Sequence, residues 1–207
     1  MTNSDDENDL LRWVRIFNKS KGYGGVFNHE NSSDKAIVEI STARDWCNSI
    51  SAEFGYSFGE PRHNADDPPD CYVDFEGRQL GIELVQLIEQ DHKHRASKDE
   101  TPYAGQLYKD MQWSCDRLGA SLCEIIAKKG KKYLKCEVQI DVLVIHTAEL
   151  WLTSEQVNKW LKDIQIQEHS NITSAYLLMD YEPGRGVRHW PVFRLYDNLL
   201  NTTTNGR

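Results

Sequence analysis

The chain has 207 residues, 39% of them hydrophobic and 27% charged, with a formal net charge of −8. That is enough for one domain with a sizeable core in a water-soluble protein. No run approaches the roughly 18 apolar residues that cross a bilayer, and the five irregularly spaced cysteines contain no CxxC pair, which excludes a disulfide framework or a zinc ribbon.

The opening MTNSDDENDL lacks the basic start and apolar stretch of a signal peptide, so a cytoplasmic location is expected. Residues 1–9 read as a disordered acidic tail and residues 199–207 as a disordered polar one. One α/β domain is expected over 10–198. Leu10 to Phe17 suits a short helix. Asn18 to Ser33, rich in Gly, Asn and Ser, reads as a loop. Asp34 is the expected cap of a helix to Phe54, with Ile37, Ile40, Ala43, Cys47, Ile50 and Phe54 on one face and Gly55 as the stop. Residues 55–69 read as a loop.

Cys71 to Phe75 alternates as a strand, Glu76-Gly77-Arg78 supplies a turn, and Gln79 to Leu87 is a second strand, together a hairpin. His92 to Thr101 is a polar connection. Tyr103 to Lys129 holds a helical period, with Gly130 as its stop. Glu137 to His146 contains VQIDVLVIH, the pattern of a strand buried on both faces. Thr153 and Gln156 form a capping box that opens another helix. Ala175 to Met179 and Pro191 to Tyr196 complete the strands, with a turn at Pro183-Gly184-Arg185-Gly186. The expected architecture is a central mixed β-sheet flanked by helices.

Chemistry concentrates at the hairpin. Pro68-Pro69-Asp70 leads into its first strand, and Glu83 stands in the apolar run LGIELVQL of its second. A rigid hairpin brings two such carboxylates together, and converging carboxylates suit a hard divalent cation such as Mg²⁺. The alternative for Glu83 is burial against an arginine, since a buried carboxylate requires a partner.

Pro69-Asp70, twelve intervening residues, and Glu83 in an apolar strand resemble the PD-(D/E)XK nuclease superfamily. The preceding helix and the following helix and strand fit that superfamily's order of elements. The resemblance implies a restriction-endonuclease-like core and hydrolysis of DNA phosphodiester bonds, in a setting such as defence, restriction or repair. It implies Asp70 and Glu83 as ligands of Mg²⁺ or Mn²⁺, with a lysine two positions after the Glu to position or activate the attacking water. Val85 occupies that lysine position. Lys93 is the replacement adopted, with Lys98 and Lys109 as further options. A first-helix glutamate sometimes adds a ligand in this superfamily, and Glu53 is preferred for it over Glu39.

Nucleic acid, DNA before RNA, is the expected partner, with a second copy or another protein as further options. The acidic balance counts against this, because nucleic-acid binders usually carry a basic excess. The basic residues are clumped, however. Lys93, Arg95 and Lys98 form one group, and Lys128, Lys129, Lys131, Lys132 and Lys135 another. Either group meets phosphates or is a solvated face. Two alternatives stand beside the enzyme: a catalytically degenerate binding module on the same fold, favoured by Val85, and an unrelated α/β interaction protein. His92 and His94 lack a third metal ligand, KGYGG is not a phosphate loop, and a lone His146 at a strand end is most simply structural.

Overall fold

The computed structural model describes residues 32–88 (side chains from 35), 94, 98, 112–149 and 151–199. The expected acidic tail, the helix over 10–17, the glycine-rich loop, His92, Lys93, Lys109 and residues 200–207 lie outside them. The chain parts into two compact units. One comprises residues 1–38 and 88–112. The other comprises residues 39–87 and 113–207 and holds the whole sheet.

The elements in order are α1 (Ser32–Phe54), β1 (Arg62–His63), β2 (Cys71–Phe75), β3 (Arg78–Gln86), α2 (Cys115–Lys135), β4 (Ile140–Thr147), α3 (Ser154–Trp160), β5 (Ile172–Met179) and β6 (Val192–Asp197). The strands form one six-stranded sheet in chain order. β1–β2 and β2–β3 pair antiparallel, β3–β4 and β4–β5 pair parallel, and β6 returns antiparallel to β5. This is the mixed α/β sheet that the sequence pattern predicts. Among the described residues no helix is long and apolar enough to cross a membrane.

Two apolar layers cover the sheet. Trp46 and Ile50 of α1 pack with Cys71, Val73, Phe75, Leu80, Ile82, Val144 and Tyr176 on one face. Leu118, Leu122 and Ile126 of α2 pack with Leu143, Ile145, Ala175 and Leu177 on the other, joined by Val157 of α3. Burial on both faces explains why the parallel strands read as continuous apolar runs. The hairpin closes through Glu76 and Gly77, at φ 49° and 78°. Left-handed backbone at both positions matches the twist of the flanking strands.

Several boundaries differ from the sequence reading. α1 begins at Ser32, ahead of the expected cap Asp34. The short strand β1 lies inside the expected 55–69 loop and pairs with β2 through Arg62 and His63. Leu199, expected to open the loose tail, is buried and donates its N–H to Ser174 Oγ at 3.2 Å and Asp197 Oδ1 at 3.0 Å. α2 starts after Ser114, whose hydroxyl caps Arg117 N, so residues 112–114 are not helical. The helix also runs through Gly130 to Lys135 instead of stopping. A glycine inside a helix costs about 1 kcal/mol against alanine, but here packing overrides propensity. A Cβ at Gly130 would lie 2.3 Å from His169 Cγ, so only glycine lets the histidine ring lie against the helix.

Candidate metal centre

β2 is shorter than β3. Its pairing ends at Cys71 opposite Ile82, while β3 continues to Gln86. The Leu84 N–H therefore faces an edge where no strand continues, and Asp70 fills it, accepting that N–H on Oδ2 at 2.8 Å. The loop before Asp70 is held by Asn64. Its N–H reaches Asp70 O at 2.9 Å and its amide nitrogen reaches Pro69 O at 2.8 Å. Pro69 in turn lies against Gly81, where a Cβ would come within 2.9 Å of the Pro69 ring. Gly81 thus permits the close approach that brings Asp70 beside β3.

Strand alternation turns Glu83 toward α2, opposite to Ile82 and Leu84. Its side chain is 2% exposed, and Lys129 of α2 places Nζ 2.5 Å from Oε1. Tyr133, one helical turn on, donates its hydroxyl to the same oxygen. Spacing of i and i+4 puts both donors on one face of the helix. The second oxygen, Oε2, is buried with no hydrogen-bond partner.

Oxygens of Asp67, Asp70 and Glu83 all lie within 4.8 Å of one another. Ligands of an octahedral Mg²⁺ ion stand about 3 Å apart when adjacent and about 4.2 Å when opposite, so the three carboxylates could hold an ion once drawn closer together. An all-carboxylate set with one unsatisfied buried oxygen fits a hard divalent cation. Glu39 of α1 also reaches the group, within hydrogen-bonding distance of Asp70, and His63 Nε2 lies 3.2 Å from Glu39 Oε2.

Electrostatics follow from this crowding. Burial pushes the Asp70 carboxyl up to about 6, and the neighbouring Glu39 acts in the same direction, against the Leu84 N–H. Burial also raises Glu83, with Asp70 adding to the effect and Lys129 and Tyr133 opposing it. Burial and the Glu83 carboxylate push the Tyr133 phenol upward, so it stays a proton donor. Clustered buried acids whose affinity for protons is raised occur in functional sites and in structural ion-pair networks alike.

The structure redistributes the expected site residues. Asp70 and Glu83 meet. Glu53 does not join them. It accepts from Arg185 Nη2 at 3.2 Å and pairs with His189 Nε2 at 2.8 Å. The reason is helical rise: Glu53 lies about 21 Å further along α1 than Glu39, and Glu39 occupies the place expected of it. Lys93 lies outside the described residues, and Lys98 is exposed in a turn of the other unit. Lys129 is instead the lysine beside Glu83. No local sequence signal singles it out, because its approach to Glu83 depends on how α2 packs on β3. Asp67 was legible only as part of the run DDPPD. His146 is buried, with Nε2 3.2 Å from Asp180 Oδ1.

No family model matches the sequence, and neither a curated protein nor a solved structure matches it significantly.

Proposed function

We propose that this chain is a metal-dependent hydrolase of DNA phosphodiester bonds, with Asp67, Asp70 and Glu83 holding Mg²⁺ or Mn²⁺. The observation that carries the reading is Lys129 Nζ at 2.5 Å from Glu83 Oε1. It supplies, from a helix, the amine that the nuclease motif places where this chain has Val85. The order of helix, antiparallel strands, helix and parallel strand also agrees with the resemblance.

When bound, the ion would lower the pKa of a coordinated water and neutralise charge on the phosphoryl oxygens. The protein's own groups do the rest. Asp70 is held by the Leu84 N–H, which fixes the orientation of its carboxylate. Tyr133 fixes Glu83 in the same way. Lys129, half-buried beside them, orients the attacking water and meets the phosphate charge that develops in the transition state.

A second reading has its own observation. Glu83 Oε1 already receives two donors, Lys129 and Tyr133, which satisfies that oxygen as a structural ion pair would. The chain would then be a catalytically degenerate binding module. Supercoiled plasmid incubated with Mg²⁺ or Mn²⁺ separates the two, beside Asp70→Ala and Glu83→Ala. Cleavage lost in both variants is expected. No cleavage by the unmodified protein in either ion, or equal cleavage in all three proteins, removes the enzymatic reading.

A further inference from the structure

α2 carries a concentration of positive charge at odds with a net charge of −8. Each helical residue turns about 100° around the axis, and on that basis Lys131, Lys135, Lys128, Lys132 and Lys129 follow one another around the helix in that order. The arc spans about 160° and its last step leads to Tyr133. Four of these lysines are exposed, and Lys129, next to the carboxylates, is half-buried. The arc therefore runs unbroken from solvent to Glu83.

Its charges are only partly neutralised. Lys128 pairs with Glu124 at 2.6 Å, and Lys129 with Glu83. Lys132 points its Nζ over the Tyr133 ring, 4.9 Å from the centroid and 3.3 Å from the hydroxyl. Lys131 and Lys135 have no acidic partner among the described residues. Lysines in a last turn complement the helix dipole, but that effect fades within a turn. It does not account for Lys128 and Lys129 two turns from the end, or for an arc that finishes at a carboxylate cluster. Net charge does not cancel the arc either, because charges further than a Debye length of about 8 Å are screened at physiological salt.

We infer that this lysine arc is the surface that holds the substrate backbone, and that the backbone is that of duplex DNA. The inference rests on the hydrolase reading and adds where its substrate lies. Residues 128–135 rise about 10 Å along α2, an axial length over which each strand of a B-form duplex carries about three phosphates at 3.4 Å of rise each. A duplex held on the exposed lysines of the arc has its phosphates within reach of Lys129 and the carboxylates.

Binding is measured apart from cleavage, by fluorescence anisotropy of a labelled DNA duplex in EDTA at stepped KCl concentrations. The test variant is Lys131→Glu/Lys135→Glu, with Lys131→Gln/Lys135→Gln as a milder one. Lys159→Glu/Lys162→Glu, changing equal charge on exposed positions elsewhere, is the control. We expect affinity for the duplex to fall about tenfold or more in the test variant, and the slope of log affinity against log salt to flatten by about two. The control should stay within about twofold. The inference is overturned if the control loses as much as the test variant, or if the unmodified protein does not bind duplex. It is equally overturned if the test variant loses only binding to phosphatidylserine vesicles and keeps its DNA affinity. Lysine-dependent binding without cleavage would uphold this surface and overturn the hydrolase. Cleavage indifferent to Lys131 and Lys135 would do the reverse.

Discussion

Lys129 and Glu83 are separated by 46 residues of sequence and meet with Nζ 2.5 Å from Oε1. β3 supplies the carboxylate and α2 supplies the amine. Removing Lys129 leaves a buried carboxylate without its cation, which costs about 3–5 kcal/mol when such a pair is fully desolvated. Lys129 retains 22% exposure, so a smaller loss is expected. In the hydrolase reading, Lys129→Met lowers turnover about a hundredfold or more but leaves Mn²⁺ binding intact, since no ligand is lost. Position 85 shares a strand face with Glu83. Val85→Lys in the Lys129→Met background should therefore restore part of the turnover. Plasmid cleavage and calorimetric Mn²⁺ titration read the two effects. A double variant as dead as the single one would refute the equivalence of the two lysine positions.

Stability and metal binding should be linked through protons. Asp70 is raised from 3.8 to about 6 by burial. Asp45, on α1, is raised to about 6, also by burial. The folded chain then holds more protons than the unfolded chain between roughly pH 4 and 6. Raised acids stabilise the fold below their unfolded pKa, and that contribution is lost as pH rises through the folded value. The metal-free protein should therefore lose stability between about pH 4 and 6, other groups being equal. A divalent ion competes with protons for Asp70, so its stabilising effect should be small at about pH 5 and large at about pH 7.5. Thermal melts with EDTA or Mn²⁺ across this range test it. A melting shift independent of pH would contradict the linkage.

Much of this arrangement was legible in the sequence, for identifiable reasons. Alternation in Cys71–Phe75 and the apolar run at Glu83 announced the hairpin, because period-2 burial is a local pattern. Thr153 and Gln156 announced α3, because a capping box is complete within four residues. The two α2 partners of Glu83 were not legible. Lys129 and Tyr133 reach Glu83 only through the packing of α2 on β3, which no local pattern encodes. Gly130 compounded this. It has the sequence mark of a helix stop, and a helix ended there omits Tyr133. Its actual role depends on His169, on a distant loop. Glu39 and Glu53 share one helix, and choosing between them required knowing which end of α1 adjoins Asp70.

Tyr133 should tune the cluster without being a ligand. Its hydroxyl donates to Glu83 Oε1 and holds that carboxylate down against the burial that raises it. Tyr133→Phe keeps the ring and deletes the donor. A hydrogen bond to a charged group contributes about 1.5–3 kcal/mol, so a loss at or below that range is expected in urea unfolding. Glu83 then rises further, and the acidic limb of the cleavage-pH profile moves to higher pH. A stability loss with an unmoved pH profile would restrict Tyr133 to a structural part.

Gly130→Ala offers a test of the packing that extends α2. Propensity alone predicts a gain of about 1 kcal/mol. The added Cβ would instead meet His169 at 2.3–2.4 Å from three ring atoms, and overpacking of this kind costs about 1–3 kcal/mol. A net loss in chemical denaturation is expected, reversed by adding His169→Ala. If Gly130→Ala alone stabilises the protein, the helix does not lie against His169 as described.

Gly81→Ala bears most directly on the metal centre, because it touches none of the ligands. The new Cβ would stand 2.9 Å from Pro69 Cγ and 3.6 Å from Asp141 Oδ2. The proline ring is stiff and must retreat as a unit, carrying Asp70 away from the Leu84 N–H that orients it. Loss of such an orienting contact typically weakens metal affinity 10–100-fold, and about tenfold is expected for Mn²⁺ by isothermal titration. Gly59→Ala is the matched control. Its Cβ would meet Asp74 Cβ at 3.3 Å, on the exposed side of the hairpin, so its Mn²⁺ affinity should not change. The contrast matters because both variants tighten a contact on the hairpin and only one displaces Asp70. Equal Mn²⁺ affinity in the two variants would show that Pro69 does not set the position of Asp70.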